Sequence, residues 1–454
     1  MKKLLTCALG ASLGLLSSAA AADPVPPTTP AAPTQPAVTA PPASGQPASA
    51  PTAASAADQL MAPGGFNGSP EVPTPADSAA APGSLLDLWL KYYDEPPRNV
   101  FSADALVWWI KAAATPPLAQ ATPPSVNGFR PNGGILIGGE DLDEQQRYGG
   151  RVTYTRWFDR CSTSGIELIP FVTGDRHASI GISSLEFPNL SRPFISNNPG
   201  LEGFLAKPVF IGGDVIGLFS TELNSEFWGA EINFRRRLMQ GCNTRIDGIV
   251  GLRYLNLDET LTLTEETQRV ANDVNFPDEL AGSRAVVFDR FATDNDFYGG
   301  QFGANFEYRY KDFSLDIKTM FAFGATHEKV SIEGTNTRFL TNGQTLHFVG
   351  GMLALDSNIG TQTRNVFAFV PQVSGQVSYY PVPGLRLFGG YDFLYWSRVA
   401  RAGEHIDITL DATRIPRFAP AGVINPAPDV RPAPIFKSND FWAQGVSFGA
   451  ELRW

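Results

Sequence analysis

A two-residue alternation of apolar and polar side chains recurs from Asn99 to the end of the chain. In residues 297–310 the even positions are aromatic, alanine or glycine, whereas the odd positions include Gln301, Glu307 and Arg309. Successive side chains of a strand point to opposite faces, so this segment has one apolar and one charged face. The alternation is longer than a usual globular strand and long enough for a tilted strand to cross a bilayer.

The same alternation predicts ten strands in total. Besides 297–310 and a last strand ending at Trp454, they cover residues 100–111, 147–158, 165–175, 226–238, 245–254, 313–323, 366–380 and 385–398. Pro170 and Pro371 fall inside two of them. Because proline has no N–H to donate to a ladder, we expect a β-bulge at each proline.

The connections between these strands alternate between short and long. The short ones are 159–164, 239–244, 311–312 and 381–383, and long segments separate the pairs that they join. Short turns on one side and long loops on the other are typical of outer-membrane β-barrels. A soluble β-sandwich, the alternative, has no reason to segregate its loops by length. The sequence therefore predicts an all-β fold, an antiparallel transmembrane β-barrel over residues 99–454.

The last strand supports this prediction independently. Apolar side chains occupy every second position up to a terminal aromatic residue, at Val446, Phe448, Ala450, Leu452 and Trp454. This pattern resembles the signal that bacterial barrel-assembly machinery recognises. We therefore expect the cell outer membrane as the location, with its lipids and the barrel-assembly machinery as partners.

Composition changes the picture mainly at the N-terminus. Residues 1–22 have the charged, apolar and small-residue parts of a secretory signal peptide. Residues 23–83 are rich in Pro, Ala and Thr and lack Lys and Arg, which predicts a disordered linker. Residues 84–98 begin with a short amphipathic stretch, and we expect a helix or a connector there.

The whole-chain composition also excludes two classes of protein. Charged residues make up 18% of the chain and the net charge is −10, so the basic footprint of a nucleic-acid-binding protein is missing. The mean hydropathy of −0.09 excludes a membrane protein built from several helical spans.

The carboxyl-terminal region also carries a family resemblance. Residues 390–396 (GYDFLYW) and 440–451 (DFWAQGVSFGAE), with the opening strand 103–109 (ADALVWW), resemble the putative beta-barrel porins known from planctomycete genomes, specifically family seven. The likeness covers about residues 99–454. It implies a barrel and a porin-like role, but no catalytic or ligand residues that could be transferred.

The charged face of the strands supplies the candidate functional residues. We expect them to line the lumen, where rings of charge set ion selectivity in water-filled pores. Ten strands exceed only slightly the number whose interior side chains fill, so pairs of Arg and carboxylate would leave a plugged or narrow pore for small solutes. The candidates are Arg151, Glu167, Glu231, Arg235, Arg237, Asp247, Arg253, Glu307, Arg309, Asp316, Lys318, Arg386, Asp392, Glu451 and Arg453.

The segment 258–296 is a second candidate, because it holds ten acidic and three basic residues. We interpret it as a solvated external loop, with a divalent-cation or partner site as the alternative. Residues 255–264 at its start alternate again, so the hairpin could extend and raise the strand count to twelve.

Two cysteines, Cys161 and Cys242, fall in adjacent short turns. Neighbouring turns lie farther apart than a disulfide usually spans, but turn tips can lean towards each other. A disulfide bond and two free thiols therefore both remain possible interpretations. Several of the aromatic residues near strand ends are expected at the membrane interfaces. The candidates are Trp108, Trp109, Trp157, Phe158, Tyr308, Tyr310, Tyr379, Tyr380, Trp396 and Trp454.

The sequence predicts no catalytic residues, metal or cofactor, and hence no enzyme. The segment from Glu404 through His405 to Asp407 could form part of a metal or acid–base site, but a second half is not visible. Three functional hypotheses follow: a narrow or plugged porin-like channel, a structural or adhesive barrel whose external loops bind a ligand, and an outer-membrane hydrolase. The oligomeric state cannot be inferred.

Overall fold

The fold is described from a computed structural model, which covers residues 98–121, 134–139, 141–142, 146–418 and 425–454. The predicted signal peptide, the linker and the amphipathic segment up to residue 97 lie outside the described residues. The barrel prediction can therefore be compared with the structure over nearly its full length.

The described residues form ten long strands that follow the predicted order. They extend considerably farther than the alternation alone indicated, because several continue into the segments expected to be loops. The strands are β1 (Asn99–Ile110), β2 (Gln146–Trp157), β3 (Ser164–Ser183), β4 (Val215–Gln240), β5 (Thr244–Arg269), β6 (Arg284–Tyr310), β7 (Phe313–Phe339), β8 (Gly360–Val382), β9 (Leu385–Val399) and β10 (Asn439–Arg453).

All neighbouring strands are antiparallel, and the sheet closes on itself. Each strand pairs with the next along the chain, and β10 pairs with β1, where Ala103 lies opposite Ala450. Within the described residues the closed barrel thus has ten strands, which confirms the fold class and shows the twelve-strand alternative to be wrong. The extra alternation after Leu255 lengthens β5 instead of adding a hairpin.

The outer surface of the barrel carries an apolar belt. On β6 the side chains of Tyr298, Phe302 and Phe306 are exposed, as predicted from their even positions. On β10 the exposed side chains include Phe448, Leu452 and Trp454. Apolar side chains exposed on every strand of a closed barrel are what a bilayer requires.

The belt has a clear outer limit. Tyr254 and Tyr298 lie side by side at this limit, with ring centroids 5.0 Å apart. Beyond them the outward positions become polar, beginning with the pairs Asn256–Asp296 and Asp258–Asp294. Strands β4 to β7 therefore project past the membrane, and the prediction of a loop over residues 258–296 is wrong except for its tip. A hairpin whose outer face is polar remains stable in water because the ladder satisfies its backbone groups.

The prolines do not produce the expected bulges. Pro170 pairs in register with Ala230, and Pro371 pairs in register with Phe321. The ladder on the other side of each proline is incomplete. No pair of the β2–β3 ladder includes Pro170, and the β8–β9 ladder begins only at Gln372, one residue after Pro371. The missing N–H is accommodated by omitting hydrogen bonds on one side, without a shift of register.

Smaller elements fill the long-loop end of the barrel. Among the described residues no helix is long and apolar enough to cross a membrane. The smaller elements are the strands Ala113–Ala114, Ala119–Ala121, Ile135–Ile137, Asp141–Leu142, Leu190–Ser196, Gly203–Phe210, Thr345–Val349 and Thr409–Leu410, and the short 3-10 helices Ala402–His405 and Ala412–Arg414.

Candidate functional site: the closed lumen

The half of the lumen nearest the short turns contains a cavity of about 530 Å³. Inward-facing side chains from the barrel strands line it, including Asp104, Glu167, Arg235 and Lys318. Cys161 and Ser162 of the first short turn also line the cavity, which places its mouth at the short-turn end. We call this cavity the vestibule.

Ion pairs reach across the vestibule. The carboxylate of Glu167 on β3 accepts hydrogen bonds from Arg235 Nη1 at 2.6 Å and from Lys318 Nζ at 2.9 Å. Lys318 lies on β7, four strands around the barrel from β3, so this contact bridges the lumen. Arg235 also donates to Asp247 at 2.9 Å and joins the neighbouring strands to the bridge.

Two further clusters use arginine in the same way. Arg151 on β2 forms salt bridges with Asp104 at 2.7 Å and with Asp392, three strands away on β9, at 3.0 Å. Arg386 pairs with Asp316 at 2.6 Å and with Glu451 at 3.1 Å. The planar guanidinium can hold two carboxylates at once, which a lysine ammonium does less specifically.

A fourth cluster lies deeper in the lumen. Glu231 accepts a hydrogen bond from Arg253 at 2.7 Å and another from Gln301 at 2.8 Å. Arg253 also donates to Gln372 Oε1 at 2.6 Å, across the lumen on β8. Breaking one partner of such a buried pair costs about 3–5 kcal/mol, because the remaining charge has no partner. The lumen charges therefore act as crosslinks between strands.

Above these charges a layer of aromatic side chains closes the lumen. Phe171, Phe227, Phe441, Trp396 and Phe297 form a continuous series, with successive ring centroids 5.3, 5.1, 6.2 and 6.0 Å apart. The series crosses from β3 and β4 to β9 and β6. We call it, together with Trp108, the aromatic layer. A layer of this kind excludes water, and such constrictions gate pores by dewetting.

Glycines on the inward face make room for this layer. A Cβ on Gly445 would come within 2.1 Å of the backbone of Val107 and 2.8 Å of the Trp108 ring. A Cβ on Gly229 would come within 2.7 Å of the Phe171 ring. Glycines next to aromatic residues at inward positions are the sequence signal that could have revealed the layer.

The expectation that Trp108 and Trp396 lie at membrane interfaces is wrong. Both side chains point into the lumen and are almost completely buried. The indole N–H of Trp396 donates to Thr326 Oγ1 at 2.9 Å, so its polar atom is satisfied within the barrel. A tryptophan near a strand end can lie on either face, and only its parity along the strand decides which.

Beyond the aromatic layer the lumen is filled by a second apolar core. Segments between the strands fold inward and contribute Leu190, Phe194, Phe210 and Met352 to it. The carboxylate of Asp289 accepts hydrogen bonds from the backbone N–H groups of residues 352, 353 and 354 at 2.8–3.0 Å. Arg192 bridges Asp289 at 2.9 Å and Glu265 at 2.7 Å. The outer half of the lumen is therefore closed as well.

All fifteen predicted lumen residues are at inward-facing positions on their strands. Those that line the vestibule are Arg151, Glu167, Glu231, Arg235, Arg237, Asp247, Glu307, Asp316, Lys318, Arg386, Glu451 and Arg453. Arg253 and Asp392 are paired deeper in the network, whereas Arg309 is exposed at the short-turn rim and stacks over Tyr380 at 4.2 Å. Asp104 and Arg245 also line the vestibule and were missing from the prediction. The first strand alternates too weakly to identify Asp104.

Both Cys161 and Cys242 are exposed in the short turns and are free thiols in the structure, with no disulfide bond between them. The first turn is organised by Asp159, whose carboxylate accepts hydrogen bonds from the backbone N–H groups of Thr163 and Ser164. The hydrogen bond from the Thr163 hydroxyl at 2.7 Å, together with these backbone hydrogen bonds, holds the pKa of Asp159 well below its usual range. The turn that carries Cys161 is thus fixed locally.

The candidate acid–base residues do not come together. His405 is buried, and its Nδ1 lies 2.8 Å from the backbone oxygen of Arg401. Glu404 accepts a hydrogen bond from Asn439, and Asp407 pairs with Arg431. Burial lowers the pKa of His405.

Acidic residues of the projecting hairpin do meet on its outward face. Asp258 lies opposite Asp294, and Asn256 Nδ2 donates to Asp258, Asp294 and Asp296 at 3.2–3.4 Å. Partial burial and the hydrogen-bonded carboxyl group of Asp294 raise the pKa of Asp258 to about 7. Within the described part of the chain, His, Cys, Asp and Glu side chains form no group of three that could hold a metal ion.

A closed, lipid-facing barrel with a charged interior defines the chain as a transmembrane β-barrel of porin-like build. A family model described as "Putative beta barrel porin-7 (BBP7)" matches residues 101–454, so the chain belongs to that family. This confirms the resemblance to the seventh family of such porins.

Solved barrel structures are similar to the chain only in outline. The outer membrane protease OmpT from Escherichia coli is 11% identical, with 79% of this chain and 97% of that chain covered and a TM-score of 0.37. A Pseudomonas aeruginosa FadL homologue is 8% identical, with 78% and 90% covered and a TM-score of 0.21. None of the curated proteins compared with the chain matches it. No activity is transferred from either structure.

Proposed function

We propose that this protein is a porin-like channel of the cell outer membrane that passes small solutes and is closed at rest by the aromatic layer. The observation that carries the proposal is the vestibule. It is a cavity of about 530 Å³, lined by charged side chains, that ends directly on apolar rings. A barrel with only a structural role has no need for such a cavity.

The charges of the vestibule suggest little preference for one sign of ion. Seven acidic and seven basic side chains line it. Because most of them are paired, an entering solute meets a polar wall of nearly zero net charge. Closure then depends on the aromatic layer and on the apolar core beyond it, since apolar side chains offer no compensation for the lost hydration of an ion.

The proposed location and partners follow from the surface. Apolar side chains around the barrel would contact outer-membrane lipids. The alternating residues at the end of β10, from Val446 to Trp454, would be recognised by the barrel-assembly machinery during insertion.

The test is the single-channel conductance of the mature protein, residues 23–454, in a planar bilayer. We expect the wild type to open rarely and the variant Phe227→Ala/Phe441→Ala to open more often in stepwise events, because the two rings are at the centre of the layer and opening then requires only displacement of the outer core. Phe321→Ala/Phe323→Ala removes two lipid-facing rings and should behave as the wild type does. A silent Phe227→Ala/Phe441→Ala variant that still shows heat-modifiable gel migration would contradict the channel proposal.

A second candidate is a structural or adhesive barrel whose closed lumen supports external loops that bind a ligand. The apolar core in the outer half of the lumen favours it, because that core closes the barrel a second time. Silence of every lumen variant in the conductance test would select this candidate.

We infer no enzymatic role. A hydrolase would need a nucleophile or an acid beside an accessible histidine. His405 is buried and its Nε2 has no hydrogen-bond partner among the described residues. Hydrolytic activity of the purified wild type that is lost in a His405→Gln variant would contradict this inference.

A further inference from the structure

The outer ends of β4 to β7 enclose a cavity of about 450 Å³ that is separate from the vestibule. Its rim contains the exposed residues Ile211, Asn275 and Arg284, so the cavity opens to the solvent on the long-loop side. Its volume lies within the range of pockets that hold small molecules. We call it the outer pocket.

One wall of the outer pocket is apolar. Val209, Phe210 and Val287 are buried residues along it, and Phe276 and Phe418 contribute partly exposed rings. Such a wall can accept a hydrocarbon or aromatic group and remove it from water.

The lining of the outer pocket is also rich in positive charge. Five basic side chains line the pocket against three acidic ones, an excess of two positive charges. The basic residues are Lys207, Arg269, Arg284, Arg338 and Arg417, and the acidic residues are Glu265, Asp273 and Glu279.

Arg338 has too few hydrogen-bond acceptors within the described part of the chain. Its side chain is only 11% exposed, and its nearest carboxylate oxygen, on Glu279, is 3.7 Å from Nη1. That distance is too long for a hydrogen bond, and Nε has no partner among the described residues. Its cross-strand neighbours, Ala285 and Leu346, have apolar side chains.

Glu279 does not supply this acceptor in the structure: its Oε2 accepts a hydrogen bond from Arg269, and its Oε1 has no hydrogen-bond partner among the described residues. Arg269 Nε lies 3.0 Å from this carboxylate and Arg417 Nε lies 3.3 Å from it. Burial and the proximity of Arg269 and Arg417 lower the pKa of Arg338. By contrast, Arg192, which is buried in the same outer half, has carboxylates at 2.7 and 2.9 Å.

We infer that the outer pocket binds a small organic anion, a carboxylate or phosphate monoester with an apolar body, whose anionic group pairs with Arg338. The guanidinium fork matches either anionic group in a bidentate contact. The apolar body then lies against Phe276 and Phe418. This binding site is independent of conductance, because the aromatic layer and the outer core separate it from the vestibule.

The test is ligand-observed ¹⁹F NMR and calorimetry on the full mature chain in detergent. The probes are 4-fluorobenzoate and phenyl phosphate, with 4-fluorobenzyl alcohol as the neutral analogue and inorganic phosphate as the anion without an apolar body. We expect saturable binding of the two aromatic anions, and affinity at least about tenfold lower for the alcohol and for inorganic phosphate.

Two variants locate the site. Arg338→Gln should weaken binding of both aromatic anions by about tenfold or more. Arg290→Gln is the matched control, since Arg290 lies exposed on β6 and pairs with Glu333 outside the outer pocket. Because Arg338 makes no hydrogen bond within the described chain, its replacement should leave the heat-modifiable migration unchanged.

Four outcomes would overturn the inference. The first three are no binding to the wild type at millimolar probe, equal loss of affinity in both variants, and equal affinity for the neutral alcohol. Binding of inorganic phosphate alone would indicate an adventitious ion and would also overturn it. Failure of the conductance test leaves these expectations unchanged, so the two proposals can fail separately.

Discussion

Single buried carboxylates organise the segments that fill the outer half of the barrel. Asp289 is the clearest example, because within a fully buried site it accepts hydrogen bonds from three backbone N–H groups and forms a salt bridge with Arg192. The three backbone N–H groups would otherwise be buried without a partner. Its position on β6 links the strand framework to the inserted segment around Met352.

We expect Asp289→Ala to destabilise the barrel by about 3–5 kcal/mol, because it leaves buried donors without an acceptor. The measurement is the urea midpoint of the shift in gel migration. Asp356→Ala is the control, since Asp356 is exposed and its pair with Arg414 should contribute at most about 1 kcal/mol. Equal midpoints for the two variants would contradict the assigned role of Asp289.

The carboxyl pair on the projecting hairpin predicts a pH dependence. The pKa of Asp258 is raised to about 7, so the folded state holds a proton that the unfolded chain releases at about pH 4. The folded state therefore loses stability as the pH rises from about 4 to 7. The neighbouring titratable or charged groups on this face include Glu226, Asp296, His327 and Lys329.

Asp294→Asn should flatten this dependence and raise stability above pH 7, because it removes the like charge opposite Asp258. Unfolding midpoints between pH 4 and 8 measure the slope, and Asp356→Asn should keep the wild-type slope. An unchanged slope in Asp294→Asn would show that the pair does not set the pH dependence.

At the scale of elements, parity along the strands gave the faces correctly. On β10 the predicted apolar positions are outward, and Phe448 lies near the middle of the strand. We expect Phe448→Arg to destabilise the barrel by about 2–4 kcal/mol, whereas a charge near the interface should cost at most about 1 kcal/mol.

Gln444→Arg supplies that comparison, because Gln444 lies on the same outward face closer to the outer end of β10. Unfolding in lipid vesicles, followed by tryptophan fluorescence, measures both variants. If the two substitutions cost the same, Phe448 does not face the bilayer interior.

Strand ends were predicted less well than strand faces. The alternation predicted residues 226–238 as a strand, but β4 runs from Val215 to Gln240. Beyond the membrane the outward positions, such as Glu222 and Asn224, are polar, so the apolar half of the pattern is lost while the ladder continues. A pattern that detects contact with lipid therefore ends where the belt ends, not where the strand ends.

The contents of the lumen show the same limit. The charged residues could be predicted because the charged face of a membrane-spanning strand must point into the lumen and not into the lipid. Trp108 and Trp396 could not, since an aromatic residue suits the lipid interface and a packed interior equally well. Arg338 could not be identified either, because its lack of partners depends on segments distant in sequence, at Glu279 and Arg417.

At the scale of the whole molecule, the two ends of the barrel differ. The short-turn end opens into the vestibule, and the long-loop end is closed by a core and carries the outer pocket. A solute path would therefore have to pass Cys161 at the mouth of the vestibule and then the aromatic layer. The two native cysteines make this asymmetry testable.

Cys161 lines the vestibule, whereas Cys242 lies in the neighbouring short turn outside that lining. We expect a bulky cationic thiol reagent to reduce the current of the Phe227→Ala/Phe441→Ala channel when only Cys161 is present, in a Cys242→Ser background. The same reagent should leave the current unchanged when only Cys242 is present, in a Cys161→Ser background. Both thiols are exposed, so mass spectrometry should show complete labelling in each case.

Because the reagent must reach the short-turn end, addition from the opposite side should act more slowly. Equal block at both cysteines would place the current path outside the vestibule, and no block at either would contradict a path through the lumen.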